Sequence, residues 1–333
     1  WKTSYNINTY NINFTVGHFE VVERISPVLG KPLKVQFYVL KENMSGAEKL
    51  LDQAEIFLEF FSRNFGQYPW IEEKFGLVNT PYLGMEHQTI IAYGNEYKNN
   101  EKGYDFLLFH EMAHEWWGNY LSVSDWSDLW IHEGFAVYAE ALYLEEKYGI
   151  EEYNKFFRNK ILKNTTHTQP IIPHRNATMD NVFGLGPYNK GAYVLHMLRY
   201  LIGDIKFLEI LDEFLYIKKQ LPNNQVTTKD FIDLVHKKTG TNIDWFFRVY
   251  LYEKDNPVLI QKTKHGSNHT FVELYWENKN FFMPVDVFYN SNTGLRERKL
   301  SLSNKPTMIA IPHYNKIKID PHKRLLLTVS KYD

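Results

Sequence analysis

Apolar residues recur along this chain at two spacings, and the switch between them divides it. Tyr10, Ile12, Phe14 and Val16 alternate on one face, and after Gly17 the phase slips to Phe19 and Val21. A period of two marks a strand, and a slip at a glycine marks a bulge. Residues 9–22 are therefore expected as a bulged strand, with a second strand over 33–40 pairing nearby. From Ser45 the spacing turns helical. Ser45 and Glu48 stand at capping-box distance, Leu50, Leu51, Ala54, Phe57, Leu58, Phe61 and Phe65 hold one stripe, and Gly66 closes it. Residues 75–79 read as a short strand, and LGMEHQTIIAYG over 83–94 as an edge strand. Helical spacing returns around His110 and again in WIHEGFAVYAEALY. Further stripes lie near 151–163, 187–201 and 204–218; a Thr227/Asp230 cap opens a helix that Gly240 ends, and one more runs from about 243 to 253. Asp255, Asn256 and Pro257 break this pattern. Beyond them, short alternating runs (Val272, Leu274, Trp276; Val285, Val287, Tyr289; 325–328) alternate with turn clusters such as 290–294. The expected class is α+β. A mixed sheet and helical lobe fill 44–256, residues 1–43 look like the tail of a preceding β domain, and 257–333 a small β-sandwich.

Composition narrows the partners more than the fold. At 333 residues, 44% hydrophobic and 23% charged, this is an ordinary globular chain. The formal net charge of -1, with both signs mixed along the chain, offers no basic stripe for nucleic acid and no polybasic membrane patch. The absence of Cys excludes a disulfide framework and a thiolate metal site. It leaves the compartment open, with a slight lean towards export. No apolar run approaches the roughly 20 residues of a membrane span. The opening at Trp1, without Met or a signal-like segment, suggests a trimmed chain. A monomer is the default expectation.

One stretch carries chemistry. In HEMAHEWWGNYLSVSDWSDLWIHE, His110 and His114 stand four apart, so on a helix both imidazoles leave one face. Glu111 adjoins the first, and Glu133 in the next helix can supply a third ligand. Phe106, Phe109, Met112, Trp116 and Trp117 surround them, which implies burial, and buried His and Glu need partners. Two imidazoles, a carboxylate and an open position describe a catalytic zinc site. Glu111 is then placed to take the proton of a metal-bound water, a role worth about 10² to 10⁴ in rate. A second electrophile is needed for the oxyanion. In GPYNKGAYVLHML, Gly186 and Pro187 start a helix and put Tyr188 in its first turn, although most of the 23 tyrosines here must pack.

As a set, GMEH (84–87), HEMAHEWWGN (110–119), WIHEGFA (130–136) and PYNKG (187–191) keep the order found in the family of aminopeptidase N, the zinc aminopeptidases that include leukotriene hydrolase. The chain resembles that family from its opening strand to about Leu259. The resemblance implies a thermolysin-like catalytic domain, a saddle-shaped β domain before it and a β-sandwich after it. It implies one zinc per chain and peptide substrates with a free N-terminus. It assigns Tyr188 to oxyanion stabilisation and Glu86 to the substrate's α-amine, with Gly84 and Met85 offering backbone groups to the extended peptide. Leu83, Gly84, Met85, Glu86 and His87 stand where the family has Gly-Ala-Met-Glu-Asn, so His87 is expected to tune or restrict the pocket. His132 replaces a frequent Asn and reads as a packing residue. Glu115 and Asn119 are expected to support the ligands. Nearly all of the preceding β domain, and any closing helical domain, are missing, so an open pocket is expected. Two rivals remain: a thermolysin-type endopeptidase, which lacks the amine-binding Glu, and a peptide-binding module holding little zinc.

Overall fold

The computed structural model describes residues 3–164, 169–184, 186–217, 225–313 and 316–332; Lys218, the last residue of the expected 204–218 stripe, lies outside them. The chain mixes helices and sheets and divides into two compact units. One comprises 1–124, 131–143 and 209–228, the other 125–130, 144–208 and 229–333.

In the first unit β1 (Phe19–Val28) and β2 (Lys31–Leu40) pair antiparallel. Their two-residue turn puts Leu29 and Gly30 at φ +48° and +80°, the left-handed pair whose twist suits a tight hairpin. The sheet continues through β3 (Phe75–Asn79), β4 (Gly84–Met85) and β5 (Ile91–Tyr93) in the order β1-β2-β3-β5-β4, with β4 on the edge. Two further short strands, β6 (Ser122–Val123) and β7 (Gln225–Val226), pair in parallel.

Helix α1 (Met44–Phe65) buries the expected stripe, and Gly66 ends it at φ +87°. Its Phe57, Phe60 and Phe61 meet Phe109 of α2 (Phe106–Ala113), with ring centroids 4.8 to 5.8 Å apart. Phe109 in turn meets Tyr143 of α3 (Trp130–Tyr148) at 5.1 Å. Interlocked rings of this kind fix the two site-bearing helices beyond what their burial alone supplies.

Three expectations are corrected. Residues 12–16 are not a strand: Thr9–Asn11 form a 3₁₀ turn, Ile12, Phe14 and Val16 are 67%, 85% and 87% exposed, and the strand starts only at Phe19. Alternation makes a strand only where a neighbouring edge takes its hydrogen bonds, and none is paired with 12–16 among the described residues. The Ser45/Glu48 box does not form, because α1 begins at Met44 and Glu48 is drawn to Arg24 at 2.6 Å. Residues 83–94 are two short strands folded back on each other. The reversal bonds His87 N to Met85 O and Ile90 N to His87 O, and holds Thr89 at φ +62°.

In the second unit α4 (Ile150–Lys155) continues as π and 3₁₀ turns to Asn164. After α5 (Met179–Val182), a π turn Gly186–Lys190 leads into α6 (Gly191–Ile202). Helix α7 (Asp204–Ile217) starts in this unit, its residues from Glu209 on belonging to the first; α8 (Thr228–Thr239) and α9 (Asp244–Phe247) follow, α8 closed by Gly240 at φ +69°. The strands after the helices are β8 (Val258–His265), β9 (His269–Trp276), β10 (Val285–Ser291), β11 (Gly294–Leu300), β12 (Thr307–Pro312), β13 (Ile317–Ile319) and β14 (Thr328–Tyr332). They form two sheets, β12-β9-β8-β14 and β11-β10-β13. Among the described residues no helix is long and apolar enough to cross a membrane.

Candidate active site

The site begins with the start of α2. Asp105 caps the helix by accepting from Leu108 N at 3.0 Å, and its carboxylate also takes Tyr93 Oη at 2.5 Å and Asn95 Nδ2 at 3.0 Å. This ties the helix to the end of β5. Helix α2 stops at Ala113, and His114 follows with helical dihedrals, so His110 and His114 keep their shared face at the last turn.

His114 Nδ1 lies 2.9 Å from Trp117 O. A carbonyl only accepts, so Nδ1 donates to it and Nε2 is the nitrogen turned inwards, where a proton or a metal ion can sit. That nitrogen is 3.2 Å from His110 Nε2 and 3.3 Å from Glu133 Oε2, and His110 Nε2 is 3.2 Å from the same oxygen. Glu133 comes from the first turn of α3. Bonds of about 2.0 to 2.1 Å in a tetrahedral zinc site put neighbouring donor atoms roughly 3.3 Å apart, which is the size of this triangle. Glu133 Oε2 is buried and makes no hydrogen bond. An orphaned carboxylate oxygen facing two imidazole nitrogens is what a cation at their centre would satisfy, so these residues fit a zinc ion.

Two more carboxylates stand close. Donor atoms of Glu86, Glu111 and His114 lie within 4.8 Å of one another, all three buried. Burial pushes the Glu111 carboxyl well above the usual range, and Glu86 and Glu133 add to this against the pull of His114. Burial opposes charge on His114, but Glu133 and Glu86 prevail and hold it up at about 10. Burial also works to raise Glu133, yet the two imidazoles hold it below its ordinary value. The pocket's field is negative and favours a cation.

Gly84 lies against Glu111. A Cβ there would stand 2.7 Å from Glu111 Oε1 and 2.9 Å from Leu107 Cδ1, so only glycine lets the edge strand pass this close. Behind the strand, the fully buried Glu115 accepts from Trp70 Nε1 (2.7 Å), Thr89 N (2.9 Å), Asn119 Nδ2 (3.1 Å) and Tyr68 Oη (3.2 Å). Asn119 Nδ2 also donates to Glu86 O at 2.8 Å. Glu115 and Asn119 thus grip the β4–β5 reversal that carries Glu86. His132 is buried, and its Nε2 accepts from Val123 N at 3.1 Å; burial pushes it down to about 3, as suits a neutral packing residue.

Sequence reasoning missed Tyr10. Its hydroxyl donates to Glu86 Oε1 at 3.2 Å, and burial together with Glu86 pushes its own ionisation far up, so it stays a donor. The available signal was the repeated YNINTYNIN over 5–13, whose asparagines suit polar tethering better than a strand. Tyr188 belongs to the second unit. It lies half-buried in the π turn before α6, with Phe183 edge-on at 6.4 Å, and in the same turn the buried Lys190 donates to Glu253 O at 3.2 Å.

Residues 51–250 match the peptidase family M1 domain. Endoplasmic reticulum aminopeptidase 1 of Homo sapiens is 27% identical over 217 residues, 60% of this chain and 23% of that protein. Glutamyl aminopeptidase of Sus scrofa is 26% identical over 324 residues, 89% of this chain and 33% of that protein. The chain thus spans a third or less of the length of these relatives. Among solved structures, Legionella pneumophila aminopeptidase A in complex with aspartic acid superposes with a TM-score of 0.75 at 15% identity, covering 95% of this chain and 39% of that one. That likeness shows a shared fold.

Proposed function

We propose that this chain, which belongs to peptidase family M1, removes single residues from the N-termini of peptides by metal-assisted hydrolysis. One observation carries the reading: His110, His114 and Glu133 converge at the spacing of zinc ligands, and a further buried carboxylate, Glu86, stands beside them next to an edge strand. The names of the relatives, aminopeptidases, support the same class.

His110, His114 and Glu133 would hold one zinc ion. A zinc ion held there would supply Lewis-acid polarisation of the substrate carbonyl and would lower a bound water's pKa from 15.7 towards about 7. Glu111, whose proton affinity is raised by its buried surroundings, takes the water's proton and returns it to the leaving amine. Glu86 receives the substrate's α-ammonium through charge-assisted hydrogen bonds, and because only a chain end carries that group, cleavage is confined to the first residue. Gly84 and Met85 offer the free edge of β4 to the extended peptide. Tyr188 donates to the oxyanion.

In this reading residues 44–256 are a thermolysin-like catalytic domain. Residues 1–43 end a preceding β domain whose last hairpin joins the catalytic sheet, and 257–333 form a β-sandwich from the two C-terminal sheets. The protein acts as a monomer.

The test uses zinc-loaded protein and aminoacyl anilides with free or acetylated amines. Hydrolysis of the free amines alone supports the reading. Equal cleavage of both would move the assignment to an endopeptidase, and turnover of neither to a peptide-binding module.

A further inference from the structure

We infer that Tyr10 is a positioning residue of the amine subsite: its hydroxyl fixes one oxygen of Glu86 so that the other faces the substrate's ammonium. The inference rests on the amine-binding reading of Glu86 given above. Tyr10 Oη donates to Glu86 Oε1 at 3.2 Å, and Oε2 accepts no hydrogen bond among the described residues. A carboxylate offers about four lone-pair sites on two oxygens. With Oε1 held by a neutral donor, the second oxygen is both oriented and available.

The segment carrying Tyr10 is fastened to residues around Glu86. Asn11 Nδ2 donates to Asn119 Oδ1 at 2.6 Å, and Asn119 itself bonds the Glu86 carbonyl. Asn13 Nδ2 lies 3.1 Å from His87 Nε2, and Gln88 Nε2 donates to Asn6 O at 3.2 Å. Of the apolar side chains beside these tethers, Ile12 and Phe14 remain exposed and Ile7 is half-buried. A segment held by the hydrophobic effect would bury them. This one is instead held by polar contacts to residues 86–88 and 119, which makes its register specific to the subsite. The chemistry fits too: Glu86, Glu111 and Glu133 share one buried pocket, and a hydroxyl stabilises the Glu86 anion without bringing a cation that would compete with the substrate's amine.

Calorimetric titration of leucinamide and N-acetyl-leucinamide into the parent protein and the Tyr10→Phe, Glu86→Gln and double variants tests this. Phenylalanine keeps the ring and its packing, and thermal melts check that each variant is folded. Loss of a hydrogen bond to a charged group corresponds to about 10- to 100-fold. Tyr10→Phe is expected to weaken leucinamide by at least about 10-fold, to raise KM for a free anilide in step with kcat little changed, and to add nothing to Glu86→Gln in the double variant. Unchanged affinity in Tyr10→Phe, or losses that simply add in the double variant, would overturn the inference while leaving Glu86 in its role. Retained affinity in Glu86→Gln would remove the amine-binding reading itself, and the inference with it.

Discussion

Gly84→Ala is a small change at a place with no room. The new Cβ would lie 2.7 Å from Glu111 Oε1, 3.2 Å from Glu111 Cδ and 2.9 Å from Leu107 Cδ1. Non-bonded heavy atoms rest at about 3.5 Å or more, so something must move by roughly 0.5 to 1 Å. The strand is held: Gly84 and Met85 pair with Tyr93 and Ala92, Gly94 N donates to Leu83 O at 2.8 Å, and Glu115 pins Thr89 in the reversal. The Glu111 carboxylate, at the end of its side chain, gives way. A misplacement of about 1 Å in a reacting group can cost 10²-fold, so kcat for a free anilide is expected to fall about 10- to 100-fold. Overpacking costs about 1 to 3 kcal/mol of stability, read as a lower urea midpoint. Zinc content should hold at one equivalent, since no ligand is touched, and Gly84→Val should be worse on both counts. An alanine variant with full zinc and kcat within twofold of the parent would refute the close packing of strand and base.

Three further outcomes are expected. Glu133→Gln should lower bound zinc, measured by atomic absorption, to below about a tenth of an equivalent; in the parent, zinc at 100 times its dissociation constant should add about 2.7 kcal/mol to stability, lost on chelation and regained on re-addition. Tyr188→Phe should reduce kcat by about 10² to 10³ with KM within a few-fold, and an unchanged kcat would take the oxyanion away from this residue. His196 is buried, stacked on Phe157 at 4.2 Å with Tyr153 Oη 2.8 Å from Nδ1, and burial, with Arg324 and Arg199, pushes it down to about 3. An unfolded histidine takes its proton near pH 6.5, so the folded protein binds fewer protons between there and pH 3. The stability this neutral ring contributes is present above about pH 6.5 and lost as pH falls towards 3, by roughly 4 kcal/mol; urea midpoints of His196→Gln should fall less steeply with acid, and parallel curves would contradict this.

How much was readable in advance depended on how local the cause was. The α1 stripe, β3 and the two site helices follow from periodicity, and periodicity also brings His110, His114 and Glu133 to one point, because i,i+4 spacing and one residue of a following helix suffice. The failures have non-local causes. Whether residues 12–16 form a strand depends on a neighbouring edge, and Glu48 leaves its capping box for Arg24, which is 24 residues away in sequence. The fold-back between β4 and β5 is held by Glu115 from the far side of the site, a contact no window of sequence contains. Tyr10 was hidden by the same alternation that suggested a strand, since its role rests on a hydrogen bond 76 residues distant.

In the proposed activity, one residue at a time leaves a free N-terminus. Zinc-loaded protein incubated with an unblocked decapeptide, and sampled over time by mass spectrometry, would show this stepwise loss. A ladder of products each shorter by one N-terminal residue is predicted, absent when the same peptide is N-acetylated. Internal fragments, or a ladder that acetylation leaves intact, would contradict the account.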